Sequence, residues 1–177
     1  GWVASFARVH PLQASFLVKP GEYPLNLVPR QDVAEYLQKH GFPNVKAVGL
    51  PILYVPESTV PRIPKSVLVM PFHSQPDFRA DGRRVPRLVE ILRGLQRKFE
   101  LVVGCVHPVC LKSGLWIQDF NAAAVPYVSG ANMRDANSLY RMRHLFKQFE
   151  AVVTNGFGSL LPYAAFCGAR VGVTGDF

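Results

Sequence analysis

Two short stretches of this sequence pair residue types and spacing suited to holding a phosphate. The pair His107-Pro108 follows the apolar run 101–106, which sets an imidazole on a proline-stiffened turn at the end of a strand. An imidazole there can hydrogen-bond a phosphate or carry charge to a leaving diphosphate or monophosphate, because its pKa lies near the working pH. A loop histidine is as often a bystander, and a shared edge with other polar loops is what favours the first role. The second stretch is Thr154-Asn155-Gly156-Phe157-Gly158-Ser159, between a buried strand and a helix. Gly156 and Gly158 let the backbone come close to a ligand with its N–H groups facing it. Ser159 can either cap the helix or donate its hydroxyl to a phosphate oxygen. A purely structural turn competes with this, since strand-glycine-helix turns are common.

Two further loops carry polar groups. His73-Ser74 follows another strand candidate, with ligand and loop-cap roles equally open, and Ser129-Gly130-Ala131-Asn132 could present backbone groups to a base or serve as a glycine turn. His40, near the end of a helix on its apolar side, and His144, on a basic helix, read as structural; His10 is uninformative. Cys105, Cys110 and Cys167 sit in or beside apolar runs without CxxC spacing or a histidine partner, so they read as reduced core thiols. No GxSxG elbow, HExxH helix, GxxxxGK[ST] loop or GxGxxG after a strand occurs, which argues against hydrolase, zinc-protease, P-loop and NAD chemistry. No DxD-like carboxylate motif sits at a strand end, so neither a metal nor a cofactor is expected.

These residues need a scaffold that brings several loops to one edge. With 49% hydrophobic and 18% charged residues, the chain belongs among globular proteins. From residue 65 onward, short β-branched runs alternate with helical segments of 3.6 period. Strands are predicted at 66–71, 100–106, 125–128, 151–154 and 170–174, each a nearly continuous apolar run as expected for strands buried on both faces. Helices are predicted over 83–98, 111–123, 137–149 and 159–167, with Leu88, Ile91, Leu92, Leu95 and Phe99 forming one apolar stripe and Leu139, Met142, Phe146 and Phe149 another. Asp135 or Asn137 can cap the third of these helices, and Gly168 can end the fourth. Strands separated by helices cross over right-handed, which gives an α/β fold with a doubly wound parallel, Rossmann-like sheet. Ligands of such sheets bind outside the carboxyl ends of the strands, which selects the loops 72–77, 107–110, 129–135 and 155–159.

Residues 1–64 differ. They are rich in proline, with one helix at 31–40, a short strand at 46–48, and a linker over 56–64. The expected division is therefore a partial first domain plus linker at 1–64 and a Rossmann-like domain at 65–177.

Together, His107-Pro108 and the Asn155–Ser159 turn resemble glycosyltransferases of the two-Rossmann-domain GT-B class, in particular bacterial capsule and teichoic-acid transferases and sialyltransferases with a His-Pro pair. The helix, strand and Gly49-Leu50-Pro51 turn are similar to the end of a first domain in that class, and Tyr163–Val171 looks like the segment closing the donor site. The resemblance implies that His107, with His73, acts on the donor phosphate. Ser74, Pro108, Ser129, Gly130, Asn132, Asn155, Gly156, Gly158 and Ser159 would hold the donor. Gly158 stands where sialyltransferases place a second hydroxyl, which sets a CMP donor apart.

The expected function is transfer of a sugar from a nucleotide-sugar donor to a surface-polysaccharide or lipid-linked acceptor. Alternatives are a sugar-nucleotide 2-epimerase and a non-catalytic nucleotide- or glycan-binding module. A formal charge of +8 favours an anionic partner. The basic residues 83, 84, 87, 93, 97 and 98 and 134, 141, 143 and 147 lie along helices without an interleaved aromatic stripe, so solvated helix faces are expected and nucleic acid is not. No run approaches the ~20 apolar residues of a membrane span. A cytoplasmic chain is expected, with peripheral association at the inner membrane face where lipid-linked acceptors reside.

Overall fold

The computed structural model describes residues 25–72, 87–132 and 135–174. The chain divides into two compact units between Tyr54 and Val55.

In the first unit, strand β1 (Asn26–Val28) pairs in parallel with β2 (Val45–Ala47), and helix α1 (Gln31–Lys39) connects them. Val33, Ala34 and Leu37, one face of α1, pack against Val28 and Val45. Gln38 Nε2 donates to Val45 O at 2.9 Å. A 3-10 turn, Pro51–Tyr54, follows. The sequence predicts α1 and β2 but not β1. His40 is exposed rather than on the apolar side. Its ring stacks on Tyr36 at 4.1 Å and its Nδ1 lies 2.7 Å from Tyr36 O, a structural role.

The second unit holds a five-stranded, wholly parallel sheet of β3 (Ile63–Val69), β4 (Leu101–Val106), β5 (Tyr127–Ser129), β6 (Phe149–Thr154) and β7 (Arg170–Val173). Its order is β5-β4-β3-β6-β7, which in chain order is 3-2-1-4-5, the doubly wound Rossmann arrangement. Val67, Val69, Val102, Val106, Ala151 and Val153 face helix α2 (Arg87–Gln96) and the helices that follow β4, in a core closed by Leu88, Leu92 and Phe120. Alternation turns Leu68 and Val152 to the opposite face, where α5 (Ser138–Gln148) buries Met142 and Phe146 and α6 (Leu160–Phe166) buries Ala164.

Several expectations need correction. β3 starts earlier than predicted, through a bulge at which Pro64 lacks an N–H, Lys65 has φ 49°, and the register with β6 shifts between Ile63 and Val67. The single helix expected at 111–123 is two, α3 (Pro108–Ser113) and α4 (Ile117–Ala122), because Gly114 at φ 77° and Trp116 at φ 69° leave the helical region between them. Pro108 at the first helical position starts α3 early. β5 and β7 form the sheet's two edges, so Val128 is 40% and Val173 44% exposed despite apolar sequences.

The cations of α5 are not a merely solvated face. Arg141 pairs with Asp135, Arg143 donates to Val55 O and lies over Phe166, and Lys147 approaches Glu57 at 3.4 Å. Gly168 ends α6 as expected, at φ 81° with Ala169 N bonded to Ala164 O. The three cysteines are buried free thiols. Among the described residues no helix is long and apolar enough to cross a membrane.

Candidate functional site

Because all five strands run parallel, the loops after them leave from one edge. β3 and β6 are neighbours, yet the chain leaves β3 toward β4 and returns past it to β6. The crevice of a doubly wound sheet opens at this reversal, outside the carboxyl ends of those two strands. His107, after β4, and the 155–159 turn, after β6, flank the end of β3 from either side. Two strand spacings put their strand ends roughly 10 Å apart. The Ser129–Asn132 turn leaves β5, one strand beyond His107. His73 and Ser74 lie outside the described residues.

His107 is the N-cap of α3. Its Nδ1 accepts from Val109 N at 3.2 Å, satisfying one of the helix's open N–H groups. A ring that accepts at Nδ1 carries its proton on Nε2, so the cap bond selects the tautomer with an N–H at the ring's far side. The half-buried ring is therefore oriented by its own backbone.

In the turn after β6, Asn155 Oδ1 accepts from Phe72 N at 2.7 Å, tying the chain that leaves β3 to the chain that leaves β6. Trp116 Nε1 donates to Phe72 O at 3.2 Å from the opposite side. Thr154, fully buried, accepts at Oγ1 from Gly156 N at 3.3 Å. A Cβ on Gly156 would stand 2.4 Å from the Phe72 ring, so this glycine is required by packing against Phe72. Ser159 is exposed at the N-cap position of α6 but in helical geometry, and its side chain makes no cap hydrogen bond. Of its two expected roles, capping is not the one observed.

The Ser129–Asn132 turn is held from within the fold. Gly130 N donates to Val106 O at 2.8 Å, Arg141 Nη2 donates to Gly130 O at 3.1 Å, and Ser138 Oγ both receives Asn132 N at 2.9 Å and donates to Asn132 O. Arg141 Nη1 also meets Asp135 Oδ2 at 2.6 Å. The N–H of Asn137, with help from Arg141, holds the Asp135 carboxyl below the usual carboxylate range. Asp135 thus accepts from the N–H of Asn137, the residue at the N-cap position of α5, while the Asn137 side chain does not cap. Beneath the turn lies Cys105, whose thiol burial pushes up to about 12, which leaves it protonated and inert.

The structure thus brings His107, Pro108, Ser129, Gly130, Asn132, Asn155, Gly156, Gly158 and Ser159 to one edge. Phe72 and Trp116, which clamp the loops after β3, β4 and β6, carry no signal in the sequence, since each acts through a partner distant along the chain. A shallow depression lined by Glu57, Ser58, Arg143, Lys147, Phe166 and Cys167 lies at the opposite, amino-terminal ends of the strands, away from these loops.

No protein-family model and no curated protein matches the chain. Among solved structures it is similar to the pneumococcal O-GlcNAc transferase GtfA in complex with UDP and GlcNAc, with 15% identity and a TM-score of 0.44, over 87% of this chain and 31% of that one. The chain therefore spans about a third of the length of that protein.

Proposed function

We propose that the carboxyl edge of the five-stranded sheet binds a nucleotide-sugar donor, and that the protein of which this chain is part or whole transfers the sugar to a surface-glycan or lipid-linked acceptor. One observation carries this reading: an imidazole with its tautomer set by a cap bond follows β4 and a serine hydroxyl not used as a cap follows β6, on either side of β3 at the sheet's reversal.

In the transfer, the bond between the anomeric carbon and the donor phosphate oxygen breaks, and the electron pair stays on the phosphate. The acceptor oxygen forms the new bond to that carbon and gives up its proton. His107 Nε2–H and the Ser159 hydroxyl meet the charge that grows on the departing phosphate, an electrostatic contribution of the kind that dominates such catalysis. Gly158 brings backbone close to the same group, Gly156 seats the turn on Phe72, Asn155 and Pro108 fix the two loops, and Ser129, Gly130 and Asn132 form the wall beyond His107. His73 and Ser74, which lie outside the described residues, are proposed as further members of the donor-binding set by their sequence position after β3. The net charge of +8 suits approach to an anionic membrane surface carrying lipid-linked acceptors.

Calorimetric titration of the chain with UDP, GDP, CMP and CDP tests this. Binding of at least one nucleotide is expected, weakened about tenfold or more by His107→Ala or Ser159→Ala, since each deletes a hydrogen bond to a charged group. If no nucleotide binds, the donor site is wrong. If binding survives both substitutions, the residues are wrong. Labelled donor and acceptor then separate transfer from simple binding: label that stays in the nucleotide sugar counts against transfer.

A further inference from the structure

Phe157 is 77% exposed, the largest share among the exposed large apolar side chains of the described residues, and it lies in the turn at the reversal point of the sheet. Its setting is rigid. The turn is anchored before it by the Asn155–Phe72 and Gly156–Thr154 hydrogen bonds, and Leu161 N bonds Gly158 O after it. The Phe72 ring fills the space under Gly156 and lies 3.7 Å from a Cβ placed on Gly158. One aromatic ring therefore supports the turn from the fold, while a second stands in water between two residues that have no side chains. A ring so placed can take a flat partner against its face.

We infer that Phe157 is the stacking face for the nucleobase of the bound nucleotide, a step that rests on the donor-site reading above. Ser159 stands two positions after Phe157, a reach of at most about 7 Å, which suits a ligand whose flat ring and first phosphate are joined through a ribose. The turn after β5 is a poorer reader of the base, because Gly130 N, Gly130 O, Asn132 N and Asn132 O are already bonded within the fold. Stacking needs no such groups and tolerates any base, since every base offers a π face. The site therefore discriminates weakly among bases and strongly between nucleotides and baseless phosphates.

The test is calorimetric titration of wild type, Phe157→Ala and Phe157→Trp with UDP, GDP, CMP and ribose 5-phosphate. Phe157→Ala is expected to weaken all three nucleotides by a similar factor, roughly 5- to 100-fold, and to leave ribose 5-phosphate within twofold. Phe157→Trp is expected to keep nucleotide affinity, with its added indole emission quenched on binding. The exposure of Phe157 makes both variants safe for folding, which thermal unfolding verifies. If nucleotides bind wild type and Phe157→Ala alike, or if ribose 5-phosphate weakens equally, the base lies elsewhere and only this inference fails. If wild type binds no nucleotide, it falls together with the donor site.

Discussion

His107 has a structural task at Nδ1, and the proposed donor site gives Nε2 another; one substitution separates them. Asparagine is among the best N-caps, so His107→Asn is expected to unfold in urea within about 0.5 kcal/mol of wild type while losing nucleotide affinity. His107→Ala loses the cap as well and is expected to be less stable by ~1 kcal/mol. An Asn variant that binds nucleotide normally would remove the phosphate role. A second residue-level expectation concerns Asp135. Its folded carboxyl titrates below the unfolded value of 3.8, first because of the Asn137 N–H and then Arg141. Its contribution to stability is therefore complete above that pH and lost as pH falls through the lower folded value. Between pH 5 and pH 3 the urea midpoint of wild type should drop more than that of Asp135→Asn, and equal drops would show that Asp135 is not coupled to folding. His107 and Ser159 are legible in the sequence because their types and strand-end positions are local facts. The Phe72–Asn155–Trp116 clamp is not, because it joins three segments that only the strand order brings together.

At the scale of elements, the alternation of apolar runs and helical stripes reads correctly in five strands because a parallel sheet puts local period and burial in agreement. It fails where backbone conformation overrides period. The stretch 111–123 has helical spacing, yet Gly114 and Trp116 adopt φ of 77° and 69° and split it into α3 and α4. The split turns Trp116 toward Phe72, and so serves the site. A Cβ at Gly114 would meet nothing within 4 Å, which isolates the backbone term from any clash. Gly114→Ala should then cost ~1–2 kcal/mol, the penalty of the left-handed conformation, and Gly114→Asn clearly less, as Asn tolerates that region. Chemical denaturation reads both. Equal stability of the Ala variant would mean that α3 and α4 can merge without loss, and nucleotide titration of that variant would show whether the Trp116 contact matters to the ligand.

At the scale of the whole molecule, the apolar content that marks the chain as globular is gathered into two separate cores, one in the β1-α1-β2 unit and one around β3–β7. The sequence pattern points to a change of character near residue 64, whereas the division falls between Tyr54 and Val55. Residues between these points have no periodicity to assign them, but their side chains do: Arg62 donates to the carbonyls of Cys167 and Gly168, Ser58 Oγ lies 3.1 Å from His144 Nδ1, and Glu57 reaches Lys147. A fragment of residues 55–177 therefore keeps every strand, helix and cap of the larger unit. It is expected to show α/β circular dichroism and a single cooperative urea transition, and to bind nucleotides with the affinity of the full chain. A fragment of residues 65–177 loses Arg62 and the first residues of β3, leaving the end of α6 and the β3–β6 bulge unsupported, and should unfold at lower urea. If the two fragments are equally stable, the segment 55–64 is a linker after all; if residues 55–177 fail to fold, the parallel sheet depends on the first 54 residues.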